Sequence, residues 1–350
     1  MPRRLRYIAW IGMLCLLSCS EELELYAPEE EIYAVYGVLD PDADAQYIRV
    51  SRVFQIEADA VPFARSHDPS VPGLSVQLEG GTQTYTATWV REIAKDTSRG
   101  DFGPTTSAYR FETEGAARLQ PGRRYTLHIR SDVDSSLYLT ATTQIPPRPA
   151  LLSPGYVREG SQRCLRRVPF EDSVQVRFRT NPESQPGRAF RYELRVLFRF
   201  WANGRQQTHH YGPTRLFDRS TGCSGLDNST LCYLLPPRQV LFALRTDLQE
   251  PGVLYTYDAE PRCGGVTGDL SRAVELQVTA VDTFLGRYIL ANSPYYQSLN
   301  AIRTEYTNVT GTIRAVGVLG SIAYDNRPIA LTACGEYVMG LRDLPPFGCE

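Results

Sequence analysis

Lysine is almost missing from this 350-residue chain: Lys95 is the only one, and the other 36 of its 37 basic residues are arginine. Chemistry that needs an amine, such as Schiff-base formation, therefore has a single candidate. A phosphate-binding loop ending in Gly-Lys-Ser/Thr is excluded, because Lys95 stands between Ala94 and Asp96. No Gly-x-Ser-x-Gly elbow, His-Glu-x-x-His pair or dinucleotide fingerprint occurs either. A positive balance is lacking too: the formal net charge is -2, which gives no reason to expect nucleic acid as a partner. Hydrophobic residues at 42% and charged residues at 22% are ordinary for a folded protein, so wholesale disorder is excluded.

The N-terminus reads as an export signal. Arg3, Arg4 and Arg6 precede an apolar run from Tyr7 to Leu17. That run falls short of the ~20 residues needed to span a bilayer, so it reads as the core of a signal peptide. It ends in Leu16-Leu17-Ser18-Cys19, which is similar to the bacterial lipobox. The resemblance implies that Cys19 becomes the mature N-terminus and holds the protein to outer-membrane lipid. Removing residues 1–18 takes three arginines and no carboxylate, moving the charge from -2 to -5. The acidic stretch Ser20-Glu21-Glu22-Leu23-Glu24 resembles the export signal that places Bacteroidetes lipoproteins on the cell surface.

Between Cys19 and Pro149 the mature chain has no cysteine. Cys164, Cys223, Cys232, Cys263, Cys334 and Cys349 all lie beyond Pro149. An even set outside the cytoplasm points to disulfides, with the connectivity open. A zinc site is the weaker alternative, because no Cys-x-x-Cys pair exists. His209 and His210 are adjacent and would face opposite sides of a strand. No metal or cofactor is expected.

Period-two alternation runs through most of the chain and predicts an all-β fold. Leu74, Val76 and Leu78 alternate with polar residues up to Gly80-Gly81, and Tyr85, Ala87 and Trp89 resume beyond it, as in a hairpin. Pro146-Pro147-Arg148-Pro149 interrupts any ladder and marks a domain boundary. About seven strands before it suit an immunoglobulin-like sandwich. Beyond it, Phe190 to Phe200 is the longest alternation, followed by the hairpin signal Asn203-Gly204. Asp282 is placed to cap one short helix whose apolar face would be Phe284, Leu285, Tyr288 and Ile289. The expected architecture is two tandem β-sandwich (immunoglobulin-like) domains with one short helix in the second. Their boundaries are a signal peptide at 1–18, an acidic tether at 19–30, sandwiches at 31–149 and 150–350, and a cysteine-containing insert in the latter.

Tyr36-Gly37-Val38-Leu39-Asp40-Pro41, followed by Gln46-Tyr47-Ile48-Arg49-Val50, resembles the opening of a Bacteroidetes lipoprotein family known only as domain of unknown function 4249. Leu119 to Leu127, Ala141 to Pro146, Val281-Asp282 before Arg287-Tyr288-Ile289, and Gly317 to Ser321 are similar to its later segments. The resemblance implies an outer-membrane lipoprotein, often encoded beside TonB-dependent nutrient transporters. It supplies no catalytic residues.

Three constellations invite a functional reading. Asp40, Asp42 and Asp44 have the spacing of a calcium loop, but Ala45 and Ser51 stand where glycine and glutamate belong, so a polar hairpin loop is the better reading. Arg191, Arg195 and Arg199 share one strand face, and Arg177 and Arg179 another. If those strands are neighbours, a guanidinium row could bind carboxylates or acidic sugars. Trp201 beside the Asn203-Gly204 turn, with Tyr211 across the hairpin, could contact a sugar or a protein partner. The leading expectation is a non-catalytic, lipid-anchored surface protein that binds a partner, with a TonB-dependent transporter as candidate. A surface glycan hydrolase and a structural or adhesive envelope component are the rivals.

Overall fold

The computed structural model describes residues 31–53, 68–94, 104–154, 156–159, 162–165, 167–168, 172–180, 190–202, 205–212, 216–217, 220, 223, 229–248, 259–260, 270–271, 274–292, 307–331 and 334. The signal peptide, Cys19 with its acidic tether, the Asn203-Gly204 turn, Cys263 and Cys349 lie outside them.

The fold is all-β. In the first half the chain forms β1 (Ile32–Leu39), β2 (Ala45–Val53), β3 (Leu74–Gly80), β4 (Gln83–Thr86) and β5 (Thr88–Ala94). It continues with β6 (Thr105–Glu112), β7 (Arg124–Ser131), β8 (Tyr138–Gln144) and β9 (Ala150–Ser153). The second half opens with the short strands β10 (Tyr156–Glu159), β11 (Gln162–Leu165) and β12 (Arg167–Val168). The long elements follow: β13 (Val174–Arg179), β14 (Phe190–Ala202), β15 (Arg205–Tyr211), β16 (Thr230–Leu235) and helix α1 (Pro237–Leu248). After the brief β17 (Ala259–Glu260) and β18 (Leu270–Ser271) come β19 (Val274–Asp282), helix α2 (Thr283–Asn292), β20 (Val309–Gly311), β21 (Ala315–Pro328) and β22 (Ala330–Leu331).

Three sheets carry the architecture. One has eight strands in the order β15-β14-β19-β21-β1-β2-β6-β5, one has five in the order β20-β8-β7-β3-β4, and one has three in the order β16-β13-β9. The β3–β4 hairpin turns at Gly81, whose φ of +62° is open to glycine without strain. At Ala87 the chain leaves the five-stranded sheet and enters β5 of the eight-stranded one.

Two cores result. The first lies between the five-stranded sheet and the β1-β2-β6 side of the large one, and includes Val35, Ile48, Tyr109, Phe111, Tyr125 and Leu127. The second includes Phe178, Leu194, Val196, Phe198, Leu276 and Val278. The segment after α2 returns to the first core, where Val309, Leu319 and Ala323 are buried, and Ile329 then ends in the second. β21 thus runs from one core to the other. It pairs parallel to β1, with Val35 opposite Gly317. Gly317 has φ +122°, and a Cβ there would run into the Val35 backbone, so this contact needs glycine.

The Asp282-capped helix forms where expected: Oδ1 accepts the N–H groups of Phe284 (2.7 Å) and Leu285 (3.1 Å). Its buried side differs from the predicted apolar face. Leu285 and Gly286 are buried, whereas Phe284 and Ile289 are each 40% exposed. The reason is close packing between small residues: Gly320 of β21 faces Leu285, and Gly286 faces the Arg191 stem. Helix α1 is an addition to the expected single helix. It starts at Pro237, whose missing N–H is not needed in a first turn, and buries Val240 and Leu241 in the second core. No described helix is long and apolar enough to cross a membrane.

Candidate functional site

A pocket of about 510 Å³ opens where the five-stranded sheet meets the start of α2. That volume is within the ~300–1,000 Å³ common for ligand sites. β7 and β8 contribute Arg124, Thr140, Thr142 and Gln144, with Thr310 from β20, Phe190 from β14 and Phe284 from α2. Pairing sets these positions. Arg124 lies opposite Gln144, Thr126 opposite Thr142, and Thr310 opposite Thr140. Because side chains alternate across a strand, Thr140, Thr142 and Gln144 all leave the outer face of β8 while Leu139 and Ala141 fill the core. Asn308 closes one wall. Its amide donates to the carbonyls of Thr142 (3.0 Å) and Leu319 (2.8 Å), and its Oδ1 accepts the Leu319 N–H (2.9 Å), so its role is to hold the frame.

Among the described residues, Asp282 is the only carboxylate in the lining. It is 3% exposed. One oxygen caps α2; the other accepts the Ser321 N–H and, at 3.3 Å, the Ser321 hydroxyl. The Ser321 hydroxyl in turn pairs with Thr143 at 2.8 Å and reaches the Gln144 carbonyl at 2.8 Å. Burial pushes the Asp282 carboxyl above its usual range of about 3.8, although these donors partly offset it. The network ties β19, α2, β21 and β8 together beneath the pocket floor. Both oxygens of this carboxylate are occupied by hydrogen-bond donors.

The family described as domain of unknown function (DUF4249) matches residues 20–313. The chain belongs to that family. No curated protein matches it. All of the pocket lining falls within the span shared with the DUF4249 family, whereas Ser321 lies beyond it. The Asp282-capped helix, read from sequence as a DUF4249 segment, supplies the pocket with Thr283 and Phe284.

The residues singled out from sequence do not converge on this pocket. Tyr211 lies across the hairpin on the return strand, as read, but it pairs with Val196 while Trp201 pairs with Gln206, so the two do not sit together at the turn. Five strand positions, about 17 Å, separate the two along β14. Tyr211 is half-buried against the second core, because its register carries it away from the turn. The side chains of Trp201 and Arg199 lie outside the described residues. The guanidinium row is also corrected. β13, which carries Arg177 and Arg179, pairs with β16 and β9 in the three-stranded sheet, while β14 pairs with β15 and β19. Arg195 is held by Glu193 at 2.8 Å, and the Arg191 stem packs beside Gly286.

Among the expected disulfides, Cys223 is bonded to Cys232, and Cys334 is disulfide-bonded as well. Cys164 is placed on β11, with its side chain outside the described residues. The Asp40–Asp44 loop is a polar hairpin loop, as read. Asp40 accepts the Asp42 N–H at 2.8 Å, Asp42 pairs with Arg148, and Asp44 pairs with Arg118 at 2.8 Å, so the carboxylates diverge. Among the described residues no cluster of three or more His, Cys, Asp or Glu could hold a metal.

Proposed function

We propose that this protein is a lipid-anchored binding or accessory protein of the outer membrane, attached through Cys19, that receives a ligand in the pocket above Asp282. The anchor follows from Arg3, Arg4 and Arg6, the short apolar run and the lipobox-like Leu16-Leu17-Ser18-Cys19. The pocket carries the binding reading. Among the described residues it is lined by hydroxyls, one guanidinium and two phenylalanine rings, and the one carboxylate there is consumed in holding the fold. Such a lining can hold and orient a ligand without a free acid–base pair for cleaving it. The protein then works beside a TonB-dependent transporter, presenting the ligand to it or shaping its surface.

The test has two arms on native membranes. Cys19→Ser should move the protein from the membrane to the soluble fraction, because only the thiol accepts the lipid. A Phe284→Ala variant, which truncates an exposed ring, should stay anchored and folded but lose whatever small molecule copurifies with wild type. Unchanged membrane retention of the serine variant contradicts the anchor, and unchanged ligand recovery from the alanine variant contradicts the pocket.

A further inference from the structure

We propose that the ligand of this pocket is a saccharide that carries a carboxylate, an inference that rests on the binding reading above. Arg124 decides the charge. It stands on the exposed end of β7, and among the described residues its guanidinium has no ion pair or hydrogen bond. On the same strand, by contrast, Arg130 lies over the Tyr138 ring. A free guanidinium fork at the rim of a pocket matches a carboxylate in a bidentate manner.

The rest of the lining decides the body of the ligand. Thr140 and Thr310 face each other across β8 and β20, and neither hydroxyl has a partner among the described residues. Hydroxyls that both donate and accept suit ring hydroxyls of a sugar. Phe190 and Phe284 offer aromatic surface to its apolar C–H face. Thr140 and Gln144 are four residues apart on β8, so the polar row extends about 13 Å, room for a short oligosaccharide rather than one ring. Asp282 is buried to 3% exposure, and donors engage both of its oxygens, so their dipoles partly offset its charge toward the pocket.

Calorimetric titration of the full mature chain with tri-galacturonic acid and with its methyl ester tests this, because the two probes differ in charge and share the same rings. The acid should bind at least roughly tenfold more tightly than the ester, as expected for a charge-assisted bidentate pair. Arg124→Gln should erase that difference, whereas Arg130→Gln, on the same sheet but outside the pocket, should retain it. Equal affinity of wild type for both probes, lost in Phe284→Ala, would overturn the acidic ligand and leave the pocket as a sugar site. Binding of neither probe would overturn the saccharide class, and the unchanged copurification test above then judges the pocket separately.

Discussion

The Asp282 carboxylate accepts the backbone N–H and hydroxyl of Ser321, a residue 39 positions further along the chain. With its other oxygen on the first turn of α2, this one side chain fixes the end of β19, the helix and β21 against each other. Thr143 and Gln144 of β8 join through the same serine hydroxyl. The pocket wall therefore depends on Asp282 although the ligand never needs to touch it.

Asp282→Ala should destabilise the protein by about 1–3 kcal/mol near neutral pH, since buried donors lose their acceptor. Amide exchange of Phe284 and Leu285 should accelerate. The pH dependence has a definite sign. The carboxyl is raised by burial, so the pH-dependent part of its stabilisation is present below its ordinary value of 3.8 and is lost as pH rises through the raised one, on top of the hydrogen-bonding part that remains near neutral pH. The advantage of wild type over the alanine variant in urea unfolding should shrink across that window. A growing advantage would show that the carboxylate is favoured by the fold.

Gly317→Ala and Gly115→Ala separate backbone strain from steric contact. Both glycines have positive φ, +122° and +58°, but a Cβ at Gly115 meets open space while one at Gly317 meets the Val35 backbone. The Gly115 variant should lose about 1–2 kcal/mol from strain alone. The Gly317 variant should lose clearly more in thermal melting, because the parallel β1–β21 pairing must shift. Equal losses would remove the close approach as the reason for Gly317.

The polar loop before β2 offers a second contrast. Gln46 is 2% exposed, donates to the carbonyl of Asp40 (2.8 Å) and to Thr113 (3.1 Å), and accepts the Asp40 N–H (2.9 Å). Gln46→Ala should cost about 1–3 kcal/mol, because it leaves buried groups unpaired. Arg148→Ala breaks an ion pair with Asp42 in which the arginine is 44% exposed, and solvent screening should hold its cost below about 1 kcal/mol. Chemical denaturation of the two variants, each at low and high salt, checks both the ranking and the screening.

Local patterns were legible in the sequence, and long-range pairings were not. The alternation from Phe190 to Phe200 and the two-residue connection implied by Ala202 opposite Arg205 follow from period two and turn chemistry. The Asp282 cap follows from a polar residue ahead of an apolar stretch. Val35 beside Gly317 has no such signal, since the residues on either side of each are equally apolar. α1 was hidden because the cysteine- and proline-rich stretch around it reads as turns. Tyr211 was read correctly onto the return strand, but its distance from the turn follows from a register that puts Val196 opposite it. The pocket was out of reach for a further reason. Its walls come from β7, β8, β14, β20 and α2, and Arg124 is one arginine among 36 until strand pairing brings it to the rim.

The Cys223–Cys232 bond should resist thiol reagents until the protein is unfolded and reduced. Replacing both by alanine should cost about 2–3 kcal/mol, the value for closing a short loop of this separation of nine residues. Quantitative labelling followed by mass spectrometry, with unfolding curves of the double variant, measures both.

The central claim is that contact is made at the pocket above Asp282 and not at the hairpin tip that carries Trp201. Placing a diazirine amino acid in living cells at Thr310, at Trp201 and at the 95% exposed Val133 tests it directly. Irradiation should give a mass-shifted adduct from the Thr310 position, with the other two at background. Adducts from Trp201 with none from Thr310 would contradict the account.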